Sequence, residues 1–158
     1  MATDLSPSTS TYGAGHFGQF GSSSLSLYEE YIDVLDTNRW GATATTWASG
    51  NTVDLAVVPK GTFFICGGLE IISPETVTTT ATLSWGTAAA ATIWASAQAS
   101  NAAAGTMASV ITTNGTNVLV NITTATKLRI TVNTAALTNC KFRVWALGLQ
   151  AGKVTEYT

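Results

Sequence analysis

The sequence is poor in charge. Only 10% of its 158 residues are Asp, Glu, Lys or Arg, against about a quarter in an average soluble domain. No charged residue and no histidine occurs from Thr76 to Thr126, so this stretch cannot supply acid–base groups or carboxylate metal ligands. A surface with so few charges has little protection against association. We therefore expect much of it to be covered by further subunits or by a partner.

Residues that carry chemistry are scarce as well. The one histidine, His16, lies in a glycine-rich segment that offers no rigid scaffold for a catalytic triad. G-x-S-x-G and P-loop patterns are absent, and the glycines of Gly13-Ala14-Gly15-His16-Phe17-Gly18, although they fit G-x-G-x-x-G, do not lie between a predicted strand and a helix as a phosphate-binding loop requires. Carboxylates cluster in 28–36, and we interpret them as solvated or ion-paired groups of a strand. A helix over 25–35 is the alternative, and it places Glu29 and Asp33 on one face as a possible glycosidase pair. The prediction is a protein without enzymatic activity or cofactor.

Charge and hydropathy argue against several kinds of partner. The formal net charge of −2 and the pI of about 5.2 give no drive toward nucleic acid or anionic membranes. No apolar run approaches the roughly 20 residues that span a bilayer, and the N-terminus lacks the pattern of a secretory signal. Cys66 and Cys140 are expected as free thiols, since a disulfide needs an oxidising compartment. Neither a cysteine–histidine metal spacing nor a calcium-loop motif occurs, so no metal site is predicted.

The first 25 residues are interpreted as an extended N-terminal arm. They are rich in glycine and serine, which disfavours a regular element. Three aromatic residues, Tyr12, Phe17 and Phe20, are spaced through this segment. Because solvated linkers rarely carry three rings, we expect the arm to bind pockets on a neighbouring subunit.

Residues 26–158 are predicted to form one β-sandwich domain. Hydrophobic residues alternate, and the breaks are rich in Gly, Asn and Thr, Asn114-Gly115 among them. The fold class is therefore all-β, a jelly roll or β-sandwich of about eight to nine antiparallel strands. Alanine runs at 88–91 and 102–104 leave a short helix open as the alternative there. The predicted strands are Leu27–Val34, Thr52–Val57, Thr62–Ile72, Val77–Trp85, Ala91–Ala97, Thr106–Ile111, Asn117–Ile122, Lys127–Asn133 and Lys141–Leu149.

The last two strands suggest a basic surface. If they form a hairpin in which Asn133 pairs with Asn139, Arg129 lies opposite Arg143. Like charges placed opposite each other destabilise a sheet, so such a patch requires an acidic partner. The partner is either an acidic surface of a larger assembly or an internal acidic segment. The predicted basic patch is Lys127, Arg129, Lys141 and Arg143, and the internal acidic segment is Glu29, Glu30, Asp33 and Asp36.

The five tryptophans support a second hypothesis. Exposed tryptophans on a β-sandwich form platforms for sugar rings, and Trp40 and Trp47 lie in a loop-like segment. The rival function is therefore a carbohydrate-binding or receptor-binding module. Packing in a core or interface is the commoner role of tryptophan.

Two parts of the chain resemble the capsid decoration, or cement, proteins of tailed bacteriophages. One is the turn Val57-Val58-Pro59-Lys60-Gly61-Thr62 with the following Gly67–Ile72, and the other extends from Leu128 to Leu147 through Ala135-Ala136-Leu137-Thr138. Together they lie within about residues 50 to 150. The resemblance implies a β-sandwich subunit, often a homotrimer, that binds the major capsid protein on the outer surface of the phage head. It implies assembly in the host cytoplasm, and it carries no catalytic residues. In this setting the rival function is a tail or fibre module that recognises a host-surface glycan through Trp40 and Trp47.

Overall fold

Nine antiparallel strands and one short helix make up the computed structural model, which describes residues 25–40, 46–77, 80–110 and 120–150. The helix α1 begins after Asp36, whose carboxylate accepts hydrogen bonds from the backbone N–H groups of Asn38 and Arg39 at 3.1 and 3.3 Å, an N-cap. The elements are β1 (Leu25–Asp33), α1 (Thr37–Trp40), β2 (Thr52–Val58), β3 (Thr62–Ser73), β4 (Thr82–Thr87), β5 (Ala95–Ala99), β6 (Met107–Val110), β7 (Val120–Asn121), β8 (Thr126–Asn133) and β9 (Lys141–Gln150).

The strands form two sheets that pack face to face. One sheet has the order β1-β9-β3-β6, with β7 pairing another part of β3, and the second has the order β2-β8-β4-β5. The chain passes from one sheet to the other repeatedly, so strands distant in sequence become neighbours. This is the strand order of a jelly roll, and the predicted all-β fold class is confirmed.

The core lies between the two sheets. Alternate residues of β8 point inward, where Leu128, Ile130 and Val132 are fully buried. Trp47 and Phe142, two of the largest fully buried side chains, pack edge to face with their centroids 6.4 Å apart. Such ring pairs add to the stabilisation that burial itself provides.

The turn between β2 and β3 depends on Gly61. This residue has a φ of 85°, a conformation that side chains disfavour. The Thr62 hydroxyl donates to the Pro59 carbonyl at 2.9 Å. The predicted Pro-x-Gly turn is therefore present, and it carries the chain from one sheet to the other.

Several predicted boundaries were wrong. The strand expected from Val77 begins at Thr82, and the strand expected from Ala91 begins at Ala95. The alanine runs form turns rather than a helix, and residues 25–33 form a strand rather than the alternative helix. The Asn114-Gly115 turn lies outside the described residues. Both cysteines are free, with Cys66 half-buried and Cys140 buried.

Candidate binding surfaces

The four predicted basic residues do not share a face. Strand β8 lies between β2 and β4, whereas β9 lies between β1 and β3, so the predicted hairpin is wrong. Lys127 and Arg129 project from the outer face of the four-stranded sheet, and Lys141 and Arg143 from the outer face of the five-stranded sheet. The common basic patch therefore does not exist. Whether each residue binds a partner stays a prediction.

On the five-stranded sheet, the two basic residues bind carboxylates of neighbouring strands. Arg143 contacts Glu29 of β1 at 2.9 Å and Glu70 of β3 at 2.5 Å. Lys141 contacts Asp33 at 2.7 Å. Of the two alternatives left open by the sequence, the internal acidic segment is the partner found for these two residues. Because these pairs are partly exposed, each is worth little in stability, but together they neutralise this part of the face.

The ionisation of these groups favours the paired state. Burial raises the pKa of Asp33, but hydrogen bonds from Lys141 and from the Leu35 backbone outweigh it and hold that pKa below its usual value. The hydrogen bond to Asp33 in turn raises the pKa of Lys141. Hydrogen bonds to Glu70 and Glu29 raise the pKa of Arg143. Asp33, Lys141 and Arg143 are therefore charged at neutral pH, and the charged part of this face consists of ion pairs.

On the four-stranded sheet, Asp54 binds both basic residues. Its carboxylate accepts two hydrogen bonds from Arg129, at 2.6 and 2.9 Å, and one from Lys127 at 3.0 Å. A register shift in β2 between Asp54 and Ala56 is a β-bulge, and Asp54 lies directly opposite Arg129 beside it. This cluster could not be predicted from the sequence, because the alternation of hydrophobic and polar residues reveals neither the bulge nor the pairing of β2 with β8.

The tryptophans suspected of sugar binding are not exposed. Trp40 is 8% exposed and Trp47 is fully buried, with their ring centroids 5.0 Å apart. Trp85 and Trp94 are also buried, and only Trp145, lying over Gly68 on the outer face, is half-buried. The suggested glycan platform at Trp40 and Trp47 is therefore wrong, because these rings pack in the core.

One half of the outer face of the five-stranded sheet is apolar. There Leu25, Leu27 and Ile65 are 59%, 60% and 40% exposed, and their neighbours on β3 and β9 are half-buried. Contiguous exposed apolar surface of this kind marks an interaction site. This surface, called the apolar patch below, consists of Leu25, Leu27, Phe63, Ile65, Leu147 and Leu149, aligned through the register of β1, β9 and β3.

The arm residues Tyr12, Phe17 and Phe20 lie outside the described residues, as does His16, and their predicted roles stay predictions. Within the described ranges, no group of three or more His, Cys, Asp or Glu residues is placed to hold a metal ion. No helix among those residues is long and apolar enough to cross a membrane.

A buried carboxylate was also missed by the sequence analysis. Glu75 is 4% exposed, and its oxygens accept hydrogen bonds from the Ser100 hydroxyl at 2.5 Å and from the backbone and hydroxyl of Thr138 at 2.7 and 2.8 Å. It ties three connecting segments together. The one feature of the sequence that singles out Glu75 is its position as the last acidic residue before the charge-free stretch.

Comparisons with known proteins show the fold of the chain. No family model and no curated protein matches it. Among solved structures, it is similar to a chain of the cyanophage Pam1 capsid asymmetric unit, with 21% identity, a TM-score of 0.57, and coverage of 84% of this chain and 89% of that chain. It is also similar to a chain of the acid-stable capsid of Helicobacter pylori bacteriophage KHP30, at 14% identity, a TM-score of 0.53, and coverage of 82% and 88%. A chain in the capsid of Ralstonia phage GP4 matches at 15% identity, a TM-score of 0.53, and coverage of 82% and 86%.

Proposed function

We propose that this chain is a structural protein of a bacteriophage virion, associated with the head. The observation that carries the proposal is the fold it has in common with chains from three phage capsids, over more than four fifths of each chain. Because the alignments cover nearly all of both partners, the matching chains are about as long as this one. The likeness therefore extends over most of each matching chain.

More specifically, the role proposed is that of a decoration protein. It binds the major capsid protein on the outer surface of the head, joins neighbouring copies, and stabilises the shell. The apolar patch supports a role in association with other protein surfaces, because a contiguous exposed apolar face marks an interaction site. The repetition of binding sites over a capsid lattice supports this role too, because many weak contacts together give a high overall affinity. The further details proposed are a homotrimer, a location on the virion, and assembly in the host cytoplasm.

We propose no catalytic role, and no nucleic acid or membrane as a partner. The described carboxylates of the strands are engaged with cations: Glu29 and Glu70 with Arg143, Asp33 with Lys141, and Asp54 with Arg129 and Lys127. A carboxylate held in an ion pair is a poor general acid, because the proton that it would donate is already lost.

Binding to the capsids of its own phage tests the proposal. Purified protein is mixed with capsids that lack it, and bound protein is quantified after sedimentation. Binding at a fixed number of copies per capsid and a higher temperature of DNA release are expected. Absence of binding to mature capsids contradicts the decoration role.

A full-length variant with Tyr12, Phe17 and Phe20 changed to serine tests the predicted part of the arm, and weaker binding is expected. A matched control changes Ser22, Ser23 and Ser24 to alanine. This control alters the same segment without removing a ring, so its binding should equal that of the unchanged protein.

A further inference from the structure

The apolar patch lies where both ends of the described chain leave the sandwich. Leu25, the first residue of β1, pairs with Leu149 near the end of β9, and both belong to the patch. The other half of the same face carries the ion pairs of Arg143 and Lys141. The patch is therefore bounded by charge on one side and by the chain ends on the other.

The 24 residues that precede β1 have the composition that such a surface would bind. Residues 5–24 contain no Asp, Glu, Lys or Arg, and they carry the rings of Tyr12, Phe17 and Phe20. Burying them therefore removes no charge from water. A segment of this length spans up to roughly 65 Å when extended, whereas three neighbouring strands are only about 10 Å across.

We propose that the apolar patch binds residues 5–24 of a second copy of this chain. The inference rests on the proposed function, which already includes association of identical subunits. Strand β1 runs from Leu25 toward Asp33, so the chain's own segment would have to reverse at Ser24 to lie over the patch. A segment from a second copy needs no such reversal. Every copy offers one segment and one patch, and such head-to-tail contacts form a ring when the rotation between copies closes.

A built-in reporter lies beside the patch. Cys66 faces outward on β3 opposite Leu147 and is half-buried, whereas Cys140 is fully buried. Burial raises the pKa of both thiols, and that of Cys140, to which the charge of Glu75 adds, to about 12, so the half-buried Cys66 is the more reactive thiol at pH 8. Thiol labelling at pH 8 therefore reports Cys66.

The test compares the mass in solution and the labelling rate of full-length proteins without capsids. We expect unchanged protein at micromolar concentrations to be larger than the 16.4 kDa monomer, with Cys66 protected. Dilution should lower the mass and speed labelling together. Changing Tyr12, Phe17 and Phe20 to serine should give a monomer in which Cys66 reacts about 5- to 30-fold faster, as for loss of a modest local contact. Leu27→Lys should also give the monomer.

Two controls make the result specific. Leu35 is 48% exposed in the segment between β1 and α1, so Leu35→Lys makes the same replacement at a similar exposure, at the end of β1 remote from the patch, and should leave the association unchanged. Removal of residues 151–158 should likewise leave Cys66 protected. A monomer at all concentrations, or a labelling rate indifferent to the three aromatic replacements, overturns the inference. Protection that survives dilution to the monomer also overturns it, because the segment would then bind its own chain.

The same variants separate the two proposals. If association in solution behaves as expected but no protein binds capsids, the decoration role fails and the contact between copies stands. If capsids are bound but the patch variant Leu27→Lys associates normally, the contact fails and the decoration role stands.

Discussion

At the scale of single residues, Asp54 is the charge on which the four-stranded sheet depends most. Its side chain is 6% exposed and binds two cations. Without the carboxylate, Lys127 and Arg129, which lie two residues apart on one face, would lose the negative charge that both of them bind. Asp54→Asn is therefore expected to lower the free energy of unfolding by about 1.5–3 kcal/mol, measured by urea denaturation at pH 7.

The ionisation of Asp54 also makes the free energy of unfolding depend on pH. Burial raises the pKa of Asp54, but hydrogen bonds from Arg129 and Lys127 outweigh it, and the folded-state pKa lies below the ordinary 3.8. A lowered pKa contributes stability above the unfolded-state value and loses it as the pH falls through the folded-state value. The difference in unfolding free energy between wild type and Asp54→Asn should therefore be constant near neutrality and shrink below about pH 4. Asp36→Asn is the control, because asparagine caps a helix as well as aspartate does. A difference that grows on acidification contradicts the assignment.

Glu75 is the second residue with a large expected effect. Glu75→Ala leaves the Thr138 backbone N–H and the Ser100 hydroxyl without their acceptor in a buried place. Each unsatisfied buried group costs about 1–3 kcal/mol, so a loss of at least about 2 kcal/mol in unfolding free energy is expected. Thermal and urea unfolding measure it. Thr76→Ala removes a neighbouring exposed hydrogen bond and should change stability far less, and equal effects of the two would argue against the special role of Glu75.

At the scale of elements, β4 depends on a glycine. A Cβ at Gly86 would lie 2.2 Å from the Ala90 carbonyl oxygen, a backbone atom that cannot move without disturbing the turn after β4. Gly86→Ala is therefore expected to destabilise by about 1–3 kcal/mol or more. Gly105 has a φ of 84° and nothing within 4 Å of an added Cβ, so Gly105→Ala carries only the backbone penalty of roughly 1 kcal/mol. Denaturant midpoints should rank the two variants in that order, and the reverse order contradicts the contact.

Strand positions could be predicted from the sequence, whereas strand partners could not. The alternation of Leu128, Ile130 and Val132 correctly indicated which side of β8 is buried. The same alternation is compatible with any partner strand, so it could not tell a hairpin from a crossing between sheets. The seven residues from Thr134 to Cys140 are long enough to cross a sandwich about 10 Å thick, and they do so. This is why the basic patch was wrong while its residues were placed on outward faces.

The candidate surfaces were predicted only in part, for the same reason. Pairing of Lys141 and Arg143 with the acidic segment was anticipated from charge alone, because β1 is the one strand rich in carboxylates. The apolar patch was not, because Leu25, Phe63 and Leu149 come from three separate segments of the sequence that only the sheet register aligns. The glycan platform was wrong because a loop-like sequence does not reveal that Trp40 and Trp47 pack in the core.

At the scale of the whole molecule, the last strand completes the fold. Strand β9 lies in the middle of the five-stranded sheet and pairs with β1 along nine positions and with β3 on its other side. Its inward residues, among them Phe142 and Val144, are fully buried. Without β9, the strands β1 and β3 have no partner between them, and one wall of the core is open. Pairing between the two ends of the chain also makes folding slow, in the range of milliseconds to seconds typical of non-local β-sheets.

A chain that ends at Cys140 is therefore expected not to fold at all, whereas a chain that ends at Gln150 should unfold at the same denaturant midpoint as the whole protein. Tryptophan fluorescence during urea titration distinguishes the outcomes, because the buried Trp47 and Trp85 become exposed on unfolding. We expect no cooperative transition for the shorter chain. A cooperative transition in the chain without β9 would mean that the four-stranded sheet forms a stable unit alone. The two sheets would then be separable layers, whereas the structure joins them through one core in which β9 provides the central strand of one wall.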